Sequence, residues 1–499
     1  MSSSSSSPSS TIHVPLGVLD HFCPPNYTAI SWYIPLKDGV TPQEAFAALE
    51  DRLRATFKQY PWLSGKIYKQ VSTTPGWRPG QLQIRYDSAG LDKPLSQFRF
   101  RELKEDEFPM SYEEIQELGF PMDAFPDEEM FWGNYINVPE EDHGAECLKA
   151  QANFFPGALL LCGATHHHVC DGTSQFDVWR AWAANCDALQ SPNAPKLADP
   201  DPLGSDRELI ERIWATEGGT EKKKDEMSPV AWTLLDMDHP DGVQRPPATL
   251  RFDERMQSGV FYIPPDKFAA LHASCVKEAG ADARISSNDA MTALIWRGLL
   301  KARRQASLNA GQANDTELAD VKARLQLTLD GRPDISRTDA MPLVYLGNLV
   351  LMNECVLSLQ QLTAQDTSIA AVARAIRRVA ETATSEAMLD AYALARGMDD
   401  LSKLGLRLTP LRESDLILSS LIMFPVEEMR WGGRVFANGG KPDALRPLWD
   451  AINTAARLCF PLPRQTGAGT QFVVNLFGDE MELLLQDEEF AQYAIYLCS

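Results

Sequence analysis

The sequence predicts an α/β chain of two or three domains, and three observations carry that expectation. At 499 residues the chain exceeds what one hydrophobic core usually supports. Both halves interleave short apolar runs bounded by turn residues, which read as strands, with amphipathic stretches at helical spacing. Between them, from Ser191 to about Pro247, the text loosens into "SPNAPKLADPDPLGSD" and "TEGGTEKKKDEMSP", rich in Pro, Gly and charge, as a linker around short helices would be. The expected organisation is a disordered Ser-rich tail over 1–10, an N-terminal domain over 11–195, a crossover over 196–247 and a C-terminal domain over 248–499. A segment around 434–465 is expected to pack back onto the N-terminal domain.

In chain order, "TPQEAFAALEDRLRATFKQYPWLSG" predicts a helix: Thr41 can cap it, Pro42 suits the first turn and Glu44 completes a capping box. Phe46, Leu49, Leu53 and Phe57 share one face, and Pro61 ends the run. "GALLLCGAT", bounded by Pro156-Gly157 and a histidine cluster, is long enough for a buried strand and too short for a typical helix. Beyond the cluster Ser174 is a fair N-cap, with Asp177 three residues on, and Val178, Trp179, Trp182 and Cys186 make a helical stripe. The local order is strand, histidine-rich turn, helix. In the second half "MQSGVFYIP" reads as a strand, "PDKFAALHASCVKEAG" as a helix, and "ISSNDAMTALIWRGLLKARRQ" as a helix capped by Ser287 or Asn288. "SLNAGQANDTELAD" is expected to be an exposed loop, "RLQLTLDGRPDI" and "YLGNLVLMNECVLSL" strands, and "SIAAVARAIRRVAETATSEAMLDAYALARGM" helical. "TQFVVNLFGDEMELLLQDEEFAQYAIYL" closes as strand then helix.

Composition narrows the partners. No window approaches the roughly 18 to 20 apolar residues of a membrane helix, and "MSSSSSSPSS" lacks the basic and apolar regions of a signal peptide, so a cytoplasmic, soluble protein is expected. Nine scattered cysteines without CxxC spacing fit reduced thiols better than disulfides or a zinc site. The net charge of −21 opposes nucleic acid and anionic lipid as main partners.

The chemistry concentrates in "ATHHHVCDGTS", where three of the chain's eight histidines are consecutive. A metal site is one reading, but adjacent strand residues point to opposite faces, so three in a row cannot all converge. Half-buried structural imidazoles are a second. The third is catalytic: a tight turn presents one imidazole, Gly172 permits the bend and Asp171 holds the geometry. A neutral imidazole can take a proton from a hydroxyl or amine at neutral pH and return it to a leaving group.

The run His166-His167-His168-Val169-Cys170-Asp171-Gly172 matches HHxxxDG, with the core HxxxD on His167 and Asp171. It resembles the BAHD acyltransferase family, closest to its fungal trichothecene acetyltransferase-like secondary-metabolite members, and more loosely the condensation domains of nonribosomal peptide synthetases. "VPLGVLDHF", "YPWLSGKI", "ISSNDAMTALIWR", "LDGRPDI…YLGN" and "FPVEEMRWGG…GGKPDALRP" are similar to the family's landmarks, in its order, over nearly the whole chain. The resemblance implies two similar chloramphenicol acetyltransferase-like α/β domains with mixed sheets and a central channel; from the histidine spacing, no metal is expected. Acyl-CoA, most often acetyl-CoA, would enter as co-substrate from one side and a small-molecule acceptor from the other.

By the same resemblance His167 is the general base, while Asp171 points away from the reaction and pairs with an arginine, for which Arg332 is the candidate. The helix "SSNDAMTALIWR" lines the coenzyme A arm in that family, which assigns Ser286, Ser287 and Trp296 to it. The nearby cations Arg297, Lys301, Arg303 and Arg304 would serve its phosphates. One landmark departs: Arg430 of Arg430-Trp431-Gly432-Gly433 stands where the family has an aspartate. A Cys170 or Cys162 thiolate working with a histidine, a carrier-protein thioester donor, and a fold retained for binding without transfer are the alternatives. A monomer is expected.

Overall fold

The computed structural model describes residues 11–87, 94–104, 106–108, 110–188, 199–239, 254–319, 321–404, 414–448, 450–453, 456–464 and 467–499. The Ser-rich tail and both expected edges of the crossover, at 195/196 and 247/248, lie outside them. The strands are β1 (Ile12–Pro15), β2 (Tyr27–Pro35), β3 (Lys66–Lys69), β4 (Leu82–Tyr86), β5 (Phe98–Glu102), β6 (Ala145–Glu146), β7 (Leu148–Phe155) and β8 (Ala158–His166). They continue as β9 (Gln257–Ile263), β10 (Lys322–Asp330), β11 (Val350–Ser358), β12 (Asp415–Leu418), β13 (Ala444–Pro447), β14 (Leu458–Pro461), β15 (Thr470–Leu476) and β16 (Ile495–Cys498).

Three sheets result. A small one has the order β1-β4-β3-β6, a five-stranded one β13-β2-β8-β7-β5, and a seven-stranded one β11-β10-β12-β14-β15-β9-β16. In the seven-stranded sheet β10, β12 and β14 run parallel and the other pairs antiparallel. The expected mixed α/β architecture is what the chain adopts.

Every residue of β7 and β8 is buried, which requires cover on both faces of the five-stranded sheet. Alternation divides the cover. Ile30, Trp32, Ile34, Leu159 and Leu161 join Leu49, Leu53 and Phe57 of the helix Pro42–Gln59, together with Val178, Trp179 and Trp182 of the helix Gly172–Asp187. Tyr27, Ala29, Tyr33, Leu160, Cys162 and Ala164 face the segment carrying Phe108, Tyr112, Ile115 and Phe125. The first helix starts as its sequence predicts, with a Thr41–Glu44 capping box.

The seven-stranded sheet alternates in the same way. Phe261, Leu416, Leu418, Phe472 and Val474 pack under the helices Pro265–Ala279, Ser287–Asn309 and Ile369–Ala380. Val260, Ile417, Leu458 and Val473 face the opposite way, into the apolar cluster that holds Trp32 and Trp179. The two large sheets therefore share one core, and β13 pairs antiparallel with β2 across it, Ala444 opposite Tyr33.

Several local expectations change. Asp171, not Ser174, caps the helix Gly172–Asp187, because Asp171 is the extended residue and its side chain accepts from the Ser174 N–H. Ser286, rather than Ser287 or Asn288, caps the helix Ser287–Asn309 in a box with Asp289. The long helical stretch divides into Ile369–Ala380 and Ser385–Arg396, the second capped by Thr384. The loop "SLNAGQANDTELAD" contains a short helix, Asp315–Ala319, and β16 follows the last helices. The described part of the Pro- and Gly-rich stretch is packed: Ile210, Ile213, Trp214 and Trp232 are buried against Leu389 and Tyr392.

Candidate active site

Strand β8 delivers the histidines. It ends at His166, opposite Tyr27 of β2, and the chain then leaves the sheet in a turn through His167, His168 and Val169. His166 is fully buried, its Nε2 2.8 Å from the Asn137 carbonyl and its Nδ1 accepting from the His168 N–H. His168 places Nδ1 2.9 Å from the Asp20 carbonyl and stacks on His166 with ring centroids 5.1 Å apart. Burial drives both pKa values down, His168 to about 4, so both rings are neutral and structural.

His167 differs. Its main-chain N–H donates to the Asn26 carbonyl, which fixes the turn, and its side chain is partly exposed. Nδ1 is buried with no hydrogen-bond partner among the described residues. Burial lowers its pKa, opposed by its own main-chain carbonyl, the Asp171 carboxylate and the Asn348 side chain. The ring is a neutral base at pH 7.

Asp171 is 2% exposed, and its carboxylate is fully occupied. Arg332 Nη2 lies 2.9 and 3.0 Å from its two oxygens, Leu349 N–H donates at 2.7 Å, and the Ser174 N–H and hydroxyl donate at 3.0 and 2.9 Å. Burial opposes the charge, but Arg332 and the Leu349 and Ser174 N–H groups outweigh it and hold the pKa below the usual carboxylate value. Arg332 also donates to Asp330 and to the Tyr345 and Gly347 carbonyls. The Asp171 carboxylate thus joins the helix from β8 to the segment after β10. Gly172 has no left-handed φ, and a Cβ there would meet the Phe424 ring at an ordinary 3.5 Å. The bend does not require a glycine. Beside the helix start lies a cavity of about 200 Å³, lined in part by Thr173, Phe176, Asp330 and Phe424.

A family model described as the trichothecene 3-O-acetyltransferase-like N-terminal domain matches residues 26–186, and the Transferase family model matches residues 134–491. The chain belongs to the Transferase family. It is 25% identical to the isocyanide synthase-NRPS hybrid of Aspergillus fumigatus, over 96% of this chain and 31% of that protein. It is 23% identical to the trichothecene 3-O-acetyltransferase of Fusarium sporotrichioides, over 100% of both. The chain spans about a third of the length of the first of these relatives. The crystal structure of the Fusarium sporotrichioides enzyme TRI101, complexed with coenzyme A and T-2, matches with a TM-score of 0.73 at 19% identity, over 97% of this chain and 100% of that one. That match shows the fold.

In this family member the other expected site residues are carried by the helix Ser287–Asn309 and its N-cap. Ser286 and Ser287 stand at the start of the helix Ser287–Asn309, where the Asn288 side chain reaches Ser420 just past β12. Trp296 is fully buried in the core under the seven-stranded sheet and offers no face to a ligand. Arg297 and Arg303 are 3% exposed. Arg297 binds Glu489 and the Leu362 and Ala364 carbonyls, and Arg303 the Asp415 carbonyl. Lys301 bridges Asp487 and Glu489, and Arg304 pairs with Asp315, so phosphate recognition by either would displace a carboxylate. Burial pushes the Cys170 thiol up to about 12 and Cys162 well above its usual value, which leaves no thiolate beside the histidines. Arg430 donates to the Glu427 and Met429 carbonyls, while Trp431 packs on Trp32 and Trp182.

Sequence reading missed a second layer. Asp20, in "VLDHF", forms a buried pair with Arg207 and accepts from Asn348. Thr173 donates to Asp330. These partners are brought together by the fold from positions 157 to 328 residues apart, and no spacing rule links them.

Proposed function

We propose that this protein is an acyl-CoA-dependent acyltransferase that acylates a hydroxyl or amine of a small secondary metabolite, with acetyl-CoA as the donor. The carrying observation is the division of labour in the turn. His166 and His168 are consumed by main-chain carbonyls, Asp171 by Arg332 and the Leu349 and Ser174 N–H groups, and His167 alone keeps a neutral, partly exposed ring.

His167 takes the proton of the acceptor as its oxygen or nitrogen attacks the thioester carbonyl. The tetrahedral intermediate collapses, the C–S bond breaks, and the proton passes from His167 to the departing thiolate. Asp171 stays ionised and holds the turn through Arg332 without touching the reacting atoms. The pantetheine arm runs past Ser286 and Ser287, near the ends of the parallel strands β10 and β12, and the cavity beside Thr173 and Phe424 takes part of the acceptor. The protein acts as a cytoplasmic monomer whose two units, 11–195 and 248–499, are joined by 196–247.

The test follows free-thiol release with a panel of acyl-CoAs and a candidate acceptor extract. Acceptor-dependent release that falls about 10² to 10⁴-fold in His167→Ala supports the reading. Release that persists in the mutant removes His167 as base. The similarity to an NRPS hybrid protein favours a second reading, a carrier-protein thioester as donor, and activity with a phosphopantetheinyl carrier but with no acyl-CoA would select it.

A further inference from the structure

The cations expected to meet the phosphates of coenzyme A are spent elsewhere: Arg297, Lys301 and Arg304 hold carboxylates, and Arg303 is buried on the Asp415 carbonyl. Another set lines a cavity of about 250 Å³ between the segment 441–446 and the turn from β14 to β15. Its walls carry Lys441, Arg446 and Arg464, with Glu427 and Asp443 as the carboxylates. Arg446 is 3% exposed and donates to the Gly119, Phe120 and Leu445 carbonyls and to the Gln471 amide oxygen, at 2.8 to 3.1 Å. None of those partners is charged, which leaves the guanidinium without a counter-ion in contact. Asp443 spends both oxygens on Tyr112, Gln116 and Asn438. Lys441 is half-buried and Arg464 exposed, and neither has a carboxylate within ion-pair distance among the described residues; Arg464 lies 4.4 Å over the Phe268 ring instead. Three cations against two carboxylates make this wall positive in a chain of net charge −21.

The cavity lies on the path assigned to the pantetheine arm. Strands β12 and β14 run parallel, so the segments that follow them leave the same end of the sheet. There the Ser420 hydroxyl donates to Asn288, beside Ser286 and Ser287. The Leu421 N–H donates to the Pro461 carbonyl and the Arg464 N–H to the Ile422 carbonyl. The same loop then passes both cavities: Met423, Phe424 and Pro425 line the one beside Thr173, and Val426 and Glu427 line this one. A continuous wall leads from the helix that follows the histidines to the three cations.

We propose that this cavity binds the phosphate groups of coenzyme A, with Lys441 and Arg464 as the direct donors and Arg446 as a fixed charge behind them. Phosphate oxygens accept from ammonium and guanidinium groups alike. Arg446, its N–H groups already committed, acts through its field. The inference rests on the acyl-CoA reading above, and it moves phosphate recognition from the helix Ser287–Asn309 to the loops at its start.

Calorimetric titration of the full chain in phosphate-free buffer, with coenzyme A and with pantetheine, decides it, since pantetheine has the same thiol arm and no phosphate. Wild type should prefer coenzyme A. The double variant Lys441→Ala, Arg464→Ala should bind coenzyme A about 10- to 100-fold more weakly, the size of a hydrogen bond to a charged group, and pantetheine as before. A lesion that merely distorts the arm's path weakens both ligands alike, so an equal loss for the two overturns the proposal, as does an unchanged affinity for coenzyme A. If the double variant does not fold, Lys441→Gln alone is read by the same ratio. If wild type binds coenzyme A but releases no thiol from any acyl-CoA, the transfer reading fails and the ratio still decides what the cavity holds.

Discussion

At the scale of single residues, the turn separates three chemically identical side chains by what surrounds each. Period-two alternation along β8 sends His166 inward, and the bend lets His168 follow it, so their nitrogens find carbonyls, while His167 projects on the other side. The burial that lowers the His167 pKa has a kinetic consequence. A base must be deprotonated to act, and a depressed pKa keeps it so at lower pH. The acid limb of kcat/KM is expected below the ordinary histidine value of about 6.5; a limb at or above it would mean that the ring is solvated in the working enzyme. HxxxD made His167 and Asp171 legible because both lie in seven consecutive letters. Asn348, Asp20 and Arg207 were not, since their link is a long-range hydrogen-bond network whose members read singly as an ordinary loop Asn, Asp and Arg.

At the scale of elements, the unit is strand, turn, helix, and its fit depends on one close approach. A Cβ at Gly163 on β8 would sit 2.8 Å from the Trp179 ring of the following helix. Gly163→Val should push that helix off the sheet, costing about 1 to 3 kcal/mol as overpacking does, and should lower activity by shifting the turn; denaturant melts and thiol release check both. The order of elements was readable from periodicity, but the cap was not. Asp171 and Ser174 are both good N-caps, and the choice falls to Asp171 because Arg332 and Leu349 anchor its carboxylate. The last strand, β16, was hidden for a related reason. It is held by pairing with β9, whereas its side chains are mostly exposed and show no strand alternation.

At the scale of the whole molecule, buried histidines couple stability to pH. His21, His166, His167 and His168 all have folded pKa values depressed by burial, His21 and His168 to about 4. Between about 6.5 and those values the unfolded chain binds more protons, so the stability they confer is complete above 6.5 and is lost as pH falls. Asp127, which burial raises to about 7, and Asp177, also raised, act in the opposite sense over part of that window. Below about 6.5 the four histidines act together against the two carboxyls, and the net effect is a loss of stability as pH falls. Urea melts between about pH 6.5 and 5 should show the midpoint falling as pH falls; a flat profile would place the rings in contact with water.

The pairing of β13 with β2 also reaches into the life of the nascent chain. The partner for the outer edge of β2 is Ala444–Pro447, made more than four hundred residues after it. At synthesis rates of about 5 to 20 residues per second, that edge waits on the order of half a minute with unpaired N–H and C=O groups, a template for any passing strand. The five-stranded sheet begun by the first half is completed only when the second half has been made.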